Sequence, residues 1–213
     1  MVNGKYSMEM IERIYWFLDR AVIVLMVALI LLMVVRMIVD AADLNPFGAV
    51  HRTVRRLSDP MVFPARGFLR QFFADPKYAP IIVIIAIILT GLMVNNLVGT
   101  LAWMAQGIVW ALSRGSIPAL LGFIFHGLIS IYILMVFLRV LFIMAMVGYG
   151  NRLMRFLFNT TEPLLGPLRK KIPPVEVGRA GRWDISPIVA LILLWLLQAA
   201  ISATLLKGAR ILI

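Results

Sequence analysis

The chain contains no cysteine, which excludes disulfides, thiolate metal sites, a cysteine nucleophile and covalently attached haem. Histidine is nearly as scarce. His51 and His126 are the two present, too few for a multi-histidine metal or haem centre. Charge is thin at 15% of residues, and acids are the scarcer sign, with 10 Asp and Glu against 21 Lys and Arg. No pair of acids falls within an apolar run, no nucleophile adjoins a histidine, and there is no glycine-rich phosphate loop or metal-ligand cluster. No catalytic, cofactor-binding or metal residue is therefore assigned, and no enzymatic activity is expected. What the chain has in abundance is apolar side chains, 62% of its 213 residues, where soluble domains carry roughly 45–50%. That composition is a membrane protein's.

Four runs are long and apolar enough to cross a bilayer, which takes about 20 residues of helix. They are expected at about 21–39, 80–103, 118–148 and 187–206, with residues 1–20 as an amino-terminal interfacial segment. The second run stays apolar to Leu112, beyond the polar Asn95, Asn96, Thr100 and Gln106, so it is expected to leave the hydrocarbon and continue in the interface. A short turn is expected at "SRGS", residues 113–116. Three of the four runs open on proline (Pro80, Pro118, Pro187), which suits a first helical turn whose N–H groups lack partners anyway. No secretory signal is expected, because no small-residue cleavage signature precedes Arg36.

The basic residues are unevenly placed. Arg52, Arg55, Arg56, Arg66, Arg70 and Lys77 lie between the first two spans, and Arg152, Arg155, Arg169, Lys170, Lys171, Arg179 and Arg182 between the last two. The hairpin between the middle spans has only Arg114, and the ends carry Lys5, Arg13, Arg20, Lys207 and Arg210. Under the positive-inside rule both basic loops face the cytoplasm and both termini face outward. The net charge of +11 thus reads as a topology signal, and no nucleic-acid partner is expected.

The two basic loops share a pattern. At an offset of 103, Arg36 meets Arg139, Arg52 meets Arg155, Ser58-Asp59-Pro60 meets Thr161-Glu162-Pro163, Pro64 meets Pro167, and Arg66 meets Arg169. Two parallel repeats, 21–112 and 118–213, related by an axis along the membrane normal, would produce this; the alternative is coincidence between two arginine- and proline-containing loops. Each loop opens with an amphipathic stretch, with stripes Val50, Val54, Leu57, Met61 and Leu153, Leu157, Leu164. Such helices lie in the interface, and Arg52, Arg55, Arg56, Arg66, Arg152, Arg155, Arg169, Lys170 and Lys171 are placed at anionic headgroups. Pro60 and Pro163 are expected to end these helices. Without a specific ligand, the segments are ordinary anchors to the bilayer.

Two charges fall inside spans. Arg36 has Asp40 one turn on and Asp43 close behind, so a local pair would satisfy it. Arg139 has no polar neighbour in sequence. It requires either an acid from the second loop, Glu162 or Asp184, or escape to the headgroups by snorkelling. His126, Asn95, Asn96 and Gln198 are read as interhelical hydrogen-bonding groups. A transport path is the rival reading, if these converge with Arg139 on a cavity.

The second loop, "NRLMRFLFNTTEPLLGPLRKKIPP" followed by "DISPIVALILLWLL", resembles the YggT family, also called YlmG, of bacterial membrane proteins with plastid relatives. The motif positions are Thr161, Glu162, Pro163, Pro167, Arg169, Lys170, Lys171, Ile172, Pro173, Pro174, Asp184, Ser186 and Pro187. The first loop is a degenerate copy, with Gly67 and Phe68 in place of the two lysines and Lys77 where the aspartate would stand. The resemblance implies a small multi-pass protein of the bacterial inner (plasma) membrane, tied to envelope organisation, division-related processes and stress, with no enzymatic activity attached. Its expected role is a scaffold, assembly factor or subunit of a membrane complex, partnered by other membrane proteins or by itself. The alternative is a component of ion or small-solute transport. The fold expected is all-α, with four transmembrane helices in two parallel halves and no cofactor.

Overall fold

The computed structural model describes residues 2–42, 48–71, 75–172, 174–176 and 182–207, leaving aside the side chains of 2–7, 50, 71, 176, 182 and 183. Asp43, Pro173, Arg179 and Arg210 lie outside the described residues, as do the side chains of Lys5, Val50 and Arg182. Six helices account for nearly all of it: α1 (Val2–Ala41), α2 (Ala49–Gln71), α3 (Ala79–Ser113), α4 (Ile117–Met144), α5 (Arg152–Lys171) and α6 (Ser186–Thr204). A 3-10 turn, Pro76–Tyr78, leads into α3. A two-residue antiparallel ladder pairs Val175–Glu176 with Arg182–Trp183 between α5 and α6.

Helices α1, α3, α4 and α6 are each long and apolar enough to cross a membrane. They stand in a row in which α1 packs on α3, α3 on α4, and α4 on α6. The amino-terminal segment expected to be separate continues without a break into the first span. Helix α3 is likewise unbroken over 35 residues, about 52 Å at 1.5 Å per residue, longer than a hydrocarbon core of about 30 Å, so it tilts or extends past that core as helix. The turn at 113–116 falls where it is expected. Gly115 has φ 63°, a conformation that costs glycine nothing, and Pro118 sits in the first turn of α4. Helix α4 stops at Met144, before the anticipated Gly148, and Met146 takes φ 54° just past its end.

Small residues set the spacing between spans, as they do where lipid supplies no hydrophobic drive for helices to associate. A Cβ built on Gly107 would lie 2.2–2.4 Å from ring atoms of Phe123, and one on Gly127 would lie 2.0 Å from the Met104 sulfur. Phe123 is fully buried between α3 and α4, with the Trp103 ring edge-on at 4.8 Å.

Helices α2 and α5 run through their prolines. Pro60 and Pro64 lie inside α2, and Pro163 and Pro167 inside α5, correcting the expectation that Pro60 and Pro163 end these helices. The reason lies in which face the prolines occupy. Pro60, Pro163 and Pro167 are exposed, as are Arg56 and Asn159 four residues before Pro60 and Pro163, so the carbonyls left without an N–H partner are on the outer side. The faces that pack against the spans are distinct from the lipid-facing stripes read from sequence and, among the described residues, share only Val54 and Leu157 with them. In α2 they are His51, Val54, Ser58, Val62, Ala65 and Leu69, and in α5 Met154, Leu157, Thr161 and Leu165. Leu57 and Leu153 turn outward.

Because the Phe123 ring is hemmed in and the Met104 thioether can swing aside, Gly107→Ala is expected to cost about 1–3 kcal/mol and Gly127→Ala less. Thermal unfolding in detergent, with Gly107→Ala showing the larger drop in midpoint, checks this.

Candidate functional site

The two span arginines are the largest fully buried side chains of the described residues, each 1% exposed. Each reaches into the helix that follows its own span. Arg36 donates from Nη1 to Ser58 Oγ, and to Asp59 Oδ1 at 2.8 Å. Arg139 donates from Nη1 to Thr161 Oγ1 at 2.7 Å and from Nη2 to Glu162 Oε2 at 2.8 Å. The partners lie 22 and 23 residues beyond the arginine in both cases. The geometry therefore recurs at the offset of 103 that aligns the sequences.

The hydroxyls are placed for this by the helix itself. Ser58 donates its proton to the Val54 carbonyl at 2.7 Å and Thr161 to the Leu157 carbonyl at 2.6 Å, a back-bond to the preceding turn. That spends the hydroxyl proton and leaves the oxygen lone pairs for the guanidinium. The acid one residue on completes a charge-assisted pair. Arg139 also stacks over the Phe158 ring, 4.2 Å from its centroid, a contact that favours a desolvated cation. Arg36 has no such ring among the described residues and takes Asp40 as a further partner, with Nε to Oδ2 at 3.6 Å.

Around Arg139 the network continues. Glu162 accepts from Arg169 Nη1 through its second oxygen at 3.1 Å, and Arg169 Nε donates to Asp184 Oδ2 at 2.7 Å. Asp184 Oδ1 in turn accepts from the Ser186 backbone N–H at 2.9 Å, fixing the start of α6. Partial burial acts to raise the Asp184 carboxyl, but the adjacent Ser186 groups and the Arg169 guanidinium outweigh it and hold the group below its ordinary 3.8. Of the two acids proposed for Arg139, Glu162 is the direct partner and Asp184 is joined to it through Arg169. Tyr132 adds a further tie from α4 to α5, donating to the Thr160 carbonyl at 3.1 Å.

The first half stops short of this. Lys77 stands where an acid would meet Arg66, and the nearby Asp75 caps the 3-10 turn and pairs with Lys77 at 3.1 Å. Arg66 has no acid within ion-pair distance among the described residues. Arg55 pairs with Asp40 at 3.2 Å. Arg52, Arg152, Arg155, Lys170 and Lys171 are exposed on α2 and α5, whereas Arg169, expected at the headgroups, makes two ion pairs within the protein. Pro163 and Pro167 lie on the outer face of α5, Pro174 follows its end, and Pro187 is buried in the first turn of α6.

His126 and Gln198 do join two spans. Gln198 Nε2 donates to the His126 carbonyl at 3.2 Å and to Ser130 Oγ. Asn95 differs: its Oδ1 is buried with no hydrogen-bond partner. Sequence reasoning missed Ser58 and Thr161 as arginine ligands, and Phe158 as the ring beneath Arg139. The available signal was a hydroxyl directly before an acid at the shared offset. Among the described residues no three His, Asp or Glu side chains gather into a metal-sized cluster.

Residues 118–205, which span α4 to α6 and hold the whole extended network, match the family model described as CCB3/YggT. No curated protein and no solved structure matches the chain.

Removing the Glu162 charge strands a buried guanidinium, so Glu162→Gln is expected to cost about 1.5–3 kcal/mol. Asp59→Asn is expected to cost less, because Asp40 remains beside Arg36. Unfolding of both variants in one detergent, with Arg139→Leu/Glu162→Gln milder than the sum of its singles, is the check. A carboxyl held below its ordinary 3.8 stabilises above that pH and ceases to as pH falls through the lowered value. The stability gap between wild type and Asp184→Asn should thus be flat at neutral pH and close in strong acid, as followed by circular dichroism.

Proposed function

Since the chain carries a CCB3/YggT family domain over residues 118–205, we propose that it is a non-enzymatic organiser of the bacterial inner membrane, working as a scaffold, assembly factor or subunit of an envelope complex. The observation that carries this is the use made of its buried polar groups. Arg139, Glu162, Arg169 and Asp184 are engaged with one another and lock α5 across the ends of α4 and α6. The same holds for Gln198 with His126 and Ser130. Groups so committed make a rigid platform, and α5 is left displaying Arg152, Arg155, Lys170 and Lys171 on its exposed side.

In this reading α2 and α5 lie on the cytoplasmic face, where basic residues accumulate, and both termini lie outside. The exposed cations meet anionic headgroups, worth about 1 kcal/mol each near the surface, and the platform receives a protein partner or a second copy. Both halves then act as parallel repeats, since their arginine clamps share one geometry. Transport through the chain would instead require the His126 and Arg139 groups to face a common water path.

Two measurements test the reading. Cysteines introduced at Thr53 and Lys170, both exposed, should react with a membrane-impermeant maleimide only after the cells are opened; labelling of either in intact cells would reverse the topology. Crosslinking in native membranes should recover a membrane-protein partner or a self-dimer through α5, and liposomes holding the pure protein should show no ion flux. Flux above empty liposomes that Arg139→Leu abolishes would replace the scaffold with the transport reading.

A further inference from the structure

A cavity of about 400 Å³ opens between the upper part of α2 and helices α1, α3 and the end of α4, within the usual size range of ligand sites. It follows α3 from Ile82 to Val94, about 18 Å at 1.5 Å per residue. Its walls are apolar, including Leu29, Phe68, Ala86 and Phe142. The hydroxyl among them, on Thr90, is spent on the Ala86 carbonyl at 2.7 Å. A cavity without polar partners does not hold water, and this one lies along segments that cross the membrane. A hydrocarbon chain is the occupant that such a slot takes.

The end of the slot at α2 is basic. Pro64 lines it and also lines a second, shallow depression formed with Arg56, Asp59, Phe63 and Arg66. The Asp59 carboxylate is already drawn to Arg36 at 2.8 Å. Arg66 has no acid partner among the described residues, whereas Arg169, its counterpart at the offset of 103, is bound by both Glu162 and Asp184. The substitution of Lys77 for the acid thus leaves an arginine open beside an apolar slot in the first half.

We infer that this half binds one anionic phospholipid, its acyl chain in the slot along α3 and its phosphate on Arg66 and Arg56. The site is independent of whether the chain organises an envelope complex. It adds to general interfacial attraction a single saturable position in one half of the molecule.

Native mass spectrometry of the full chain in detergent, with phosphatidylglycerol or phosphatidylcholine of identical acyl chains, tests it. One phosphatidylglycerol per chain should be retained in preference to phosphatidylcholine. Arg66→Gln should weaken that retention about tenfold, the loss of one charge-assisted hydrogen bond, while Arg114→Gln at the turn between α3 and α4, also an exposed arginine, leaves it unchanged. Ala86→Phe, which fills the slot, should abolish retention of both lipids. Should that variant misfold, phosphatidylglycerol carrying a diazirine on its acyl chain should crosslink wild-type peptides containing Ala86 or Phe142. Equal losses for Arg66→Gln and Arg114→Gln, labelling spread evenly over all spans, glycerol 1-phosphate binding as tightly as the lipid, or a dimer that seals the slot would each overturn the assignment.

Discussion

A guanidinium held away from water inside a bilayer must find both an acid and enough hydrogen-bond acceptors, because an unpaired charge there costs at least about 2.5 kcal/mol. Arg36 and Arg139 impose that requirement near the carboxyl-terminal ends of α1 and α4. Each is answered by a hydroxyl and an acid side by side on the next helix. The position of α2 and α5 follows. An amphipathic helix free to rotate in the interface is pinned with one chosen face inward, and the remaining features of that face, small or apolar residues a turn either side, fit what the arginine dictates.

The difference between the halves is a difference in how far the charge network runs. In the second half it passes from Arg139 through Glu162 and Arg169 to Asp184, and so binds the helix after the loop to the helix before it. In the first half it runs from Arg36 to Asp59 and through Asp40 to Arg55, and among the described residues it stays within α1 and α2. Residue 77 is where they part, since it is a lysine paired with Asp75, whereas its counterpart Asp184 holds Arg169. The half with the complete network is also the half that the family model covers.

Much of this was legible in the sequence. Apolar runs and their prolines located the four spans, the "SRGS" turn fell in place, and the scarcity of acids near Arg139 narrowed its partner to two residues. What went unread is the inward face of α2 and α5. Their apolar stripes read as turned to acyl chains, and Leu57, Phe63 and Leu153 are exposed, but which residues pack against the spans does not follow from an apolar stripe beside lipid. In this setting polar Ser58 and Thr161 mark the inside of α2 and α5, since they face an arginine. The prolines misled for a related reason. Their cost depends on where the freed carbonyls point, which spacing alone does not tell. Phe158 beneath Arg139 depends on the rotation of α5, fixed only once the clamp has formed.

The ends of the row differ in helix length and not in apolar length. At one edge α1 runs through Glu9, Glu12, Arg13, Asp19 and Arg20 before its apolar run at 21–39 begins, and at the other stands α6, with 19 residues. Both runs reach about 28 Å at 1.5 Å per residue, close to a hydrocarbon core of about 30 Å. Charges so closely spaced do not enter hydrocarbon. The unbroken helix therefore carries its amino-terminal part clear of the lipid as a stalk, on the side of the membrane away from α2.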